Sequence, residues 1–355
     1  MNSEALAATL QAGEAYLIFS EENRRYFTGF AATDGWLLVT PGERIFLTDS
    51  RYIEAARRQV KGCTDVVLLL SLREQLPALC ARLGVKELFI EDDRMNVAEL
   101  RRLRTMLTGI AVSDGDRAST AINRLRSVKT QTEIAEIEKA QAIAEKAFSY
   151  ILTVMREGIT EKEVALSLDY FMLKNGAEAL SFETIAVSGP NSSMPHGVPS
   201  DRKLQKGDFI TLDYGAVVNG YHSDMTRTVA LGRVSDKMAA VYDTVLSAQK
   251  AALDAIGPGV RCFDADKAAR DIITAAGYGD CFGHSTGHGV GVEIHEAPSL
   301  SPKSGDAVLE IGNVVTAEPG IYLPGEFGVR IEDMAAVTAF GCRNLTGCPK
   351  DLIVI

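Results

Sequence analysis

Two aspartates, Asp213 and Asp224, flank an Asn219-Gly220 dipeptide in the stretch TLDYGAVVNGYHSDMTRT, Thr211 to Thr228. Asn-Gly readily supplies the positive φ of a tight hairpin, so neighbouring strands should aim both carboxylates at one place. Ile210, Leu212 and Tyr214 alternate with Thr211 and Asp213, which predicts an apolar face packed behind the strand and Asp213 on the other face. Carboxylates held that close repel unless a shared proton or a divalent cation lies between them. An aspartate beside a hairpin is more often a turn or cap residue. The chemistry therefore depends on what else converges there.

All five histidines, His196, His222, His284, His288 and His295, fall in one stretch of the chain. Such confinement suggests a shared site. His284 and His288 lie in GHSTGHGVGVEIHEAP, where glycines let backbone approach a ligand closely. Their spacing of four would suit a zinc pair on a helix, but Gly283, Gly287, Gly289 and Gly291 argue against helix. His295-Glu296 lacks the continuation of an HExxH metalloprotease. Glu318 in VVTAEPGIY and Glu332 in GVRIEDM are carboxylates in strongly apolar, strand-like surroundings, costly to bury unpaired. Together with Asp213 and Asp224 these make four acids, whose charge balances two divalent cations with neutral imidazole added, so two metals are expected rather than one.

The elements that must position these residues belong to a chain of 355 residues, long enough for two domains. Hydrophobic residues make up 46% and net charge is −10, with no basic run interleaved with aromatics, so nucleic acid and membrane are not expected partners. No signal-peptide pattern opens the chain, and six scattered cysteines without a CxxC pair read as free thiols, so a cytoplasmic location is expected. From Ser3 to Val112 short apolar strands (Ala15 to Phe19, Trp36 to Val39, Ile45 to Thr48, Val66 to Leu70, Glu87 to Ile90) alternate with helices (Arg51 to Gln59, Leu72 to Leu83, Val97 to Leu107). The Pro41-Gly42 turn makes the sheet mixed. This half has no histidine, and Arg24, Arg25 and Tyr26 read as solvated surface.

Ser113 to Arg126 reads as a boundary, giving an α/β domain over residues 1–121 and an α+β domain over 122–355. Capping boxes at Thr130/Glu133 and Thr160/Glu163 open two helices, and a second pair spans Ser235 to Ile256 and Cys262 to Ala276.

Asp213, Asp224, His288, Glu318 and Glu332, with SGPNSSMPHGVPSDRKL, SDMTRT and EPGIYLPGEFGVRIED around them, resemble the dinuclear site of the pita-bread metallopeptidases. The flanking segments resemble the Xaa-Pro aminopeptidase and Xaa-Pro dipeptidase (prolidase) branch, and GWLLVTPGERIFLTDSRY resembles that branch's noncatalytic creatinase-like domain. The resemblance implies a pita-bread (creatinase/aminopeptidase-like) catalytic domain in which Asp213 chelates one metal, Asp224 and Glu332 bridge both, and His288 and Glu318 complete the second. It implies manganese or cobalt, with zinc or iron admitted, and attack by a metal-bridging hydroxide on the bond before a proline at the substrate's second position. Glu318 would accept the proton, His295 steady the intermediate and His196 line the proline end, with His284, Arg330 and Tyr214 in support. His222 is expected to be an exposed turn residue, and Glu293 and Glu296 to lie outside the metal set.

Between Ala297 and Gly312, where larger prolidases carry arginine, the chain has only Lys303, which leans toward aminopeptidase over dipeptidase. A creatinase-like metal-free hydrolase or a noncatalytic module are remoter readings of the same fold. A homodimer is expected from the same resemblance.

Overall fold

The computed structural model describes residues 2–355. Its contacts divide into two compact units, one ending at Arg126 and one beginning at Ser127.

The first unit is built on a six-stranded mixed sheet in the order Asp65–Leu68, Arg44–Thr48, Trp36–Val39, Glu14–Ile18, Glu87–Ile90 and Ala111–Ser113. Trp36–Val39 and Arg44–Thr48 form the hairpin expected at Pro41-Gly42, whereas Glu14–Ile18 pairs parallel with Glu87–Ile90. Period-two alternation divides each strand between two cores. Tyr16, Ile18 and Phe46 face one with Phe27, Ala56 and Ile122, while Ala15, Leu17, Ile45 and Leu47 face the other with Leu76 and Leu103.

Two expectations for this unit need correction. The boundary expected between residues 121 and 122 falls inside the helix Arg117–Ser127, whose Ala118 and Ile122 are buried in the first unit's core. Arg24 is buried on the helix Glu21–Thr28, donating to the carbonyls of Phe19, Ser20 and Thr33, and Arg25 and Tyr26 are half-buried, so Arg24 is not the solvated surface residue expected.

In the second unit both capping boxes form, at the heads of helices Gln131–Val154 and Glu161–Lys174. Their apolar faces pack on Ile210, Leu212, Tyr214, Met225 and Val229. The other helices, Asp236–Ala255 and Cys262–Ala275, cover a second core containing Val315, Ala317, Val329 and Ala335. Between them lie a three-stranded sheet (Ile185–Ser188, Phe209–Tyr214, Met225–Ala230), a five-stranded sheet running from Glu296–Leu300 to Gly341–Asn344, and the hairpin of Gly320–Leu323 with Phe327–Arg330.

Candidate metal centre

Phe209–Tyr214 and Met225–Ala230 pair antiparallel with Asp213 opposite Thr226, which leaves Asp224 one residue before its strand. The connection turns at Asn219 (φ 50°) and Gly220 (φ 79°), both in the left-handed region that Asn-Gly accommodates. Glu318 follows the strand Val314–Ala317, and Glu332 sits between Phe327–Arg330 and Asp333–Thr338. Strand ends from separate sheets thus meet at one point. His288 lies on the short strand Gly287–Gly289, not on a helix. The five side chains line a single cavity of about 420 Å³ together with His196, His284 and His295.

Within it, ligand atoms of Asp224, His288 and Glu332 lie within 4.8 Å of one another. His288 Nε2 is 3.5 Å from Asp224 Oδ2 and 3.3 Å from Glu318 Oε1. Arg330, itself buried, donates through Nη2 to Asp213 Oδ2 at 2.5 Å. Burial, reinforced by Glu332 and Asp213, holds the Asp224 carboxyl well above its usual range. Burial likewise raises Glu332, with Glu318 adding to it, and pushes Glu318 up to about 8 against the opposing pull of Arg330. Burial depresses His288 to about 4, so its imidazole is neutral near pH 7 and available as a ligand.

The residues fit a pair of divalent cations. Asp213 Oδ1 and Glu332 Oε1 are buried without a hydrogen-bond partner, although the other oxygen of each is bonded, to Arg330 and to Thr226 Oγ1 at 2.7 Å. A buried carboxylate oxygen left alone is costly, and a cation satisfies it.

The remaining sequence candidates divide. His284 lines the cavity but is tied elsewhere, with Nε2 2.9 Å from Tyr322 Oη and Nδ1 2.8 Å from Ser285 O. His295 packs edge-on to His288 at 4.3 Å between ring centroids, and His196 is exposed at the mouth. Tyr214 does not enter the cavity; its ring is buried under the helix Gln131–Val154 and its hydroxyl donates to Ala144 O at 3.1 Å. His222 is half-buried on the strand Tyr221–His222, with Nδ1 2.8 Å from Ser181 Oγ, and is not an exposed turn residue. Glu296 faces the buried Lys129 Nζ at 2.5 Å, and neither Glu293 nor Glu296 lines the cavity.

Sequence reasoning missed Tyr322, whose hydroxyl receives Arg330 Nη1 at 2.7 Å and meets His284, closing a chain from Asp213 to the cavity wall. It also missed Glu161, which accepts from Ser188, Asn191 and Ser200 beneath the loop bearing His196. Its partners lie more than twenty-five positions away, beyond the reach of local pattern.

Residues 135–339 match metallopeptidase family M24, and residues 7–128 match the creatinase/prolidase N-terminal domain. An Xaa-Pro dipeptidase of Pyrococcus furiosus is 45% identical over 242 residues, 68% of this chain and 69% of that protein. Among solved structures, an Xaa-Pro dipeptidase from Bacillus anthracis superposes with TM-score 0.94 at 41% identity, covering 100% of this chain and 99% of that one. An X-Pro aminopeptidase from Thermotoga maritima gives TM-score 0.92 at 35% identity, covering 100% of both. The fold is thereby the expected creatinase-like domain followed by a pita-bread catalytic domain.

Proposed function

The chain belongs to metallopeptidase family M24, and from that premise we propose that it hydrolyses the bond preceding proline in Xaa-Pro dipeptides. The observation that carries the reading is the convergence of Asp213, Asp224, His288, Glu318 and Glu332 on one cavity, in a chain similar over most of its length to proteins named Xaa-Pro dipeptidase. This reverses the order expected from the residues between Ala297 and Gly312.

Those five residues would hold two divalent cations; four carboxylates with one imidazole suit manganese or cobalt and also admit zinc or iron. When bound, such ions supply Lewis acidity toward the scissile carbonyl and make a water-derived nucleophile accessible near neutral pH. Glu318 would hold the proton lost by water, a role suited to a carboxyl at the cavity wall whose pKa burial raises. His295, whose pKa burial lowers, would donate a hydrogen bond to the developing oxyanion, and His196 would border the proline ring. Arg330 and Tyr322 would keep Asp213 and His284 oriented.

One observation favours the second reading, an aminopeptidase acting on longer Xaa-Pro peptides. Arg330 is the one guanidinium or ammonium group lining the cavity among the described residues, and it is committed to Asp213; Lys303 is exposed and outside the lining. A dipeptide's carboxylate therefore has histidine or backbone to meet.

The test is to strip the protein with chelator, then assay Gly-Pro and Arg-Pro-Pro with and without manganese while measuring bound metal. Metal-restored cleavage preferring Gly-Pro supports the proposal. Preference for Arg-Pro-Pro transfers it to the aminopeptidase reading, and metal binding without cleavage of either moves the substrate outside Xaa-Pro peptides. A cytoplasmic homodimer completes the proposal, and a clean monomer mass by light scattering would discard the dimer.

A further inference from the structure

The segment bearing His284 and the strand residue His288 is strung along a helix, Cys262–Ala275, none of whose described residues lines the cavity. Asp266 and Arg270 stand one turn apart on Cys262–Ala275, and Arg270 grips Asp266 in a fork, Nε to Oδ2 and Nη2 to Oδ1, both at 2.8 Å. The Asp266 side chain is 2% exposed, so its charge has only this cation and the loop to meet. Oδ1 accepts from Thr286 N at 3.0 Å and from Thr286 Oγ1 at 2.9 Å. Arg270 in turn donates to Phe282 O at 3.0 Å and His284 O at 2.8 Å, with its guanidinium 4.3 Å over the Phe282 ring.

From Thr286 the connection reaches both ligands. Thr286 O accepts from Glu318 N at 2.8 Å, so the residue pinned by Asp266 fixes the backbone of Glu318. His288 N donates to Thr316 Oγ1 at 3.1 Å, and Thr316 Oγ1 donates to Glu318 Oε1 at 3.3 Å. On its other side the loop lies flush against the strand Val314–Ala317: a Cβ on Gly287 would fall 2.0 Å from Thr316 O. The loop therefore cannot rise toward the strand to compensate for slack on the helix side. Asp213 belongs to a different support, with its carboxylate held by Arg330.

We propose that Asp266 and Arg270 are positioning residues for His288 and Glu318, and that they selectively set the affinity of the one cation position those two complete. The inference rests on the dinuclear reading above. Groups that orient metal ligands commonly change affinity by about 10–100-fold when removed, and the separate anchoring of Asp213 confines that change to one of two binding steps.

The experiment is calorimetric titration of manganese into chelator-stripped wild type, Asp266→Asn, Arg270→Met, Arg270→Lys and Thr286→Val, with melting of each stripped protein measured in parallel. Wild type should bind in two steps. In Asp266→Asn and Arg270→Met one step should weaken by about 10–100-fold with the other unchanged, Arg270→Lys should recover part of the loss, and Thr286→Val should lose less than either. Two unchanged steps in the variants overturn the inference while leaving the dinuclear reading intact. Equal weakening of both steps with a lowered melting point shows a general structural role and overturns it too. Wild type that binds no manganese removes both. If Asp266→Asn does not fold, the Arg270→Lys and Thr286→Val titrations carry the same decision.

Discussion

Arg330 shows how much of the site rests on single side chains. Its guanidinium donates to Thr226 Oγ1, Pro195 O, Tyr322 Oη and Asp213 Oδ2, a fork that an ammonium cannot reproduce. Arg330→Met leaves the Asp213 carboxylate buried without its cation, and breaking a buried pair from one side costs about 3–5 kcal/mol. Urea unfolding of the stripped protein should show that loss, and added manganese should recover part of it by taking over Asp213. A variant as stable as wild type would deny the pair this role. Glu318 makes the complementary case. Glu318→Gln keeps volume and removes the proton acceptor, so kcat on the better of Gly-Pro and Arg-Pro-Pro should fall by about 10²–10⁴-fold, the span of general acid–base contributions. Retained kcat in a metal-loaded Gln variant would place the proton elsewhere. Glu318 and Glu332 stand out in the sequence because carboxylates in apolar runs violate the burial rule. Tyr322 was not, because a tyrosine among Ile321 and Leu323 satisfies it.

At the scale of elements, close approach is what the glycines near His288 provide. Gly287→Ala forces a Cβ into Thr316 O, whereas Gly283→Ala meets nothing within 4 Å. The first should destabilise by about 1–3 kcal/mol, as overpacking does, and weaken metal binding; the second should stay within about 0.5 kcal/mol. Comparable melting points for the two would show that the strand and loop do not need this contact. The same strands show what the sequence disclosed of the fold. Alternation marked Ile210, Leu212 and Tyr214 as the packed face, and they do pack together, because period-two patterning is a local property. Glu21–Thr28 escaped because EENRRYFT is polar over most of its length and buries Asn23 and Arg24 through hydrogen bonds. Arg117–Ser127 read as linker for a similar reason: between its polar residues, Ala118 and Ile122 make a stripe too narrow to notice. The clamp from Asp266 to Thr286 was out of reach altogether, since a helix acid near an arginine four residues on is ordinary surface pairing until tertiary contacts bury it.

For the whole molecule, the site couples stability to pH and to metal with a sign that can be worked out. Glu318 has its folded pKa raised from 4.5 to about 8, and Asp224 and Glu332 are raised as well. An acid raised in this way binds more protons folded than unfolded, so its contribution is full below its unfolded pKa and is lost as pH climbs through the folded one. His284 and His288 run the other way. Their pKa falls from 6.5 to about 4, so the folded state gains as pH rises toward 6.5 and nothing changes above it. Between pH 6.5 and 8 the carboxylates act without that opposition, and the stripped protein should lose stability across this window. Divalent cations bind the deprotonated carboxylates and stabilise the folded state by mass action. The gap in melting temperature between manganese-loaded and stripped protein should therefore widen steadily from pH 6.5 to 8, and collapse in a double variant Asp224→Asn, Glu332→Gln. A gap that stays constant over the window would mean that the acids in the cavity are already ionised without metal. The crowding of buried carboxylates would then be balanced by something other than cations.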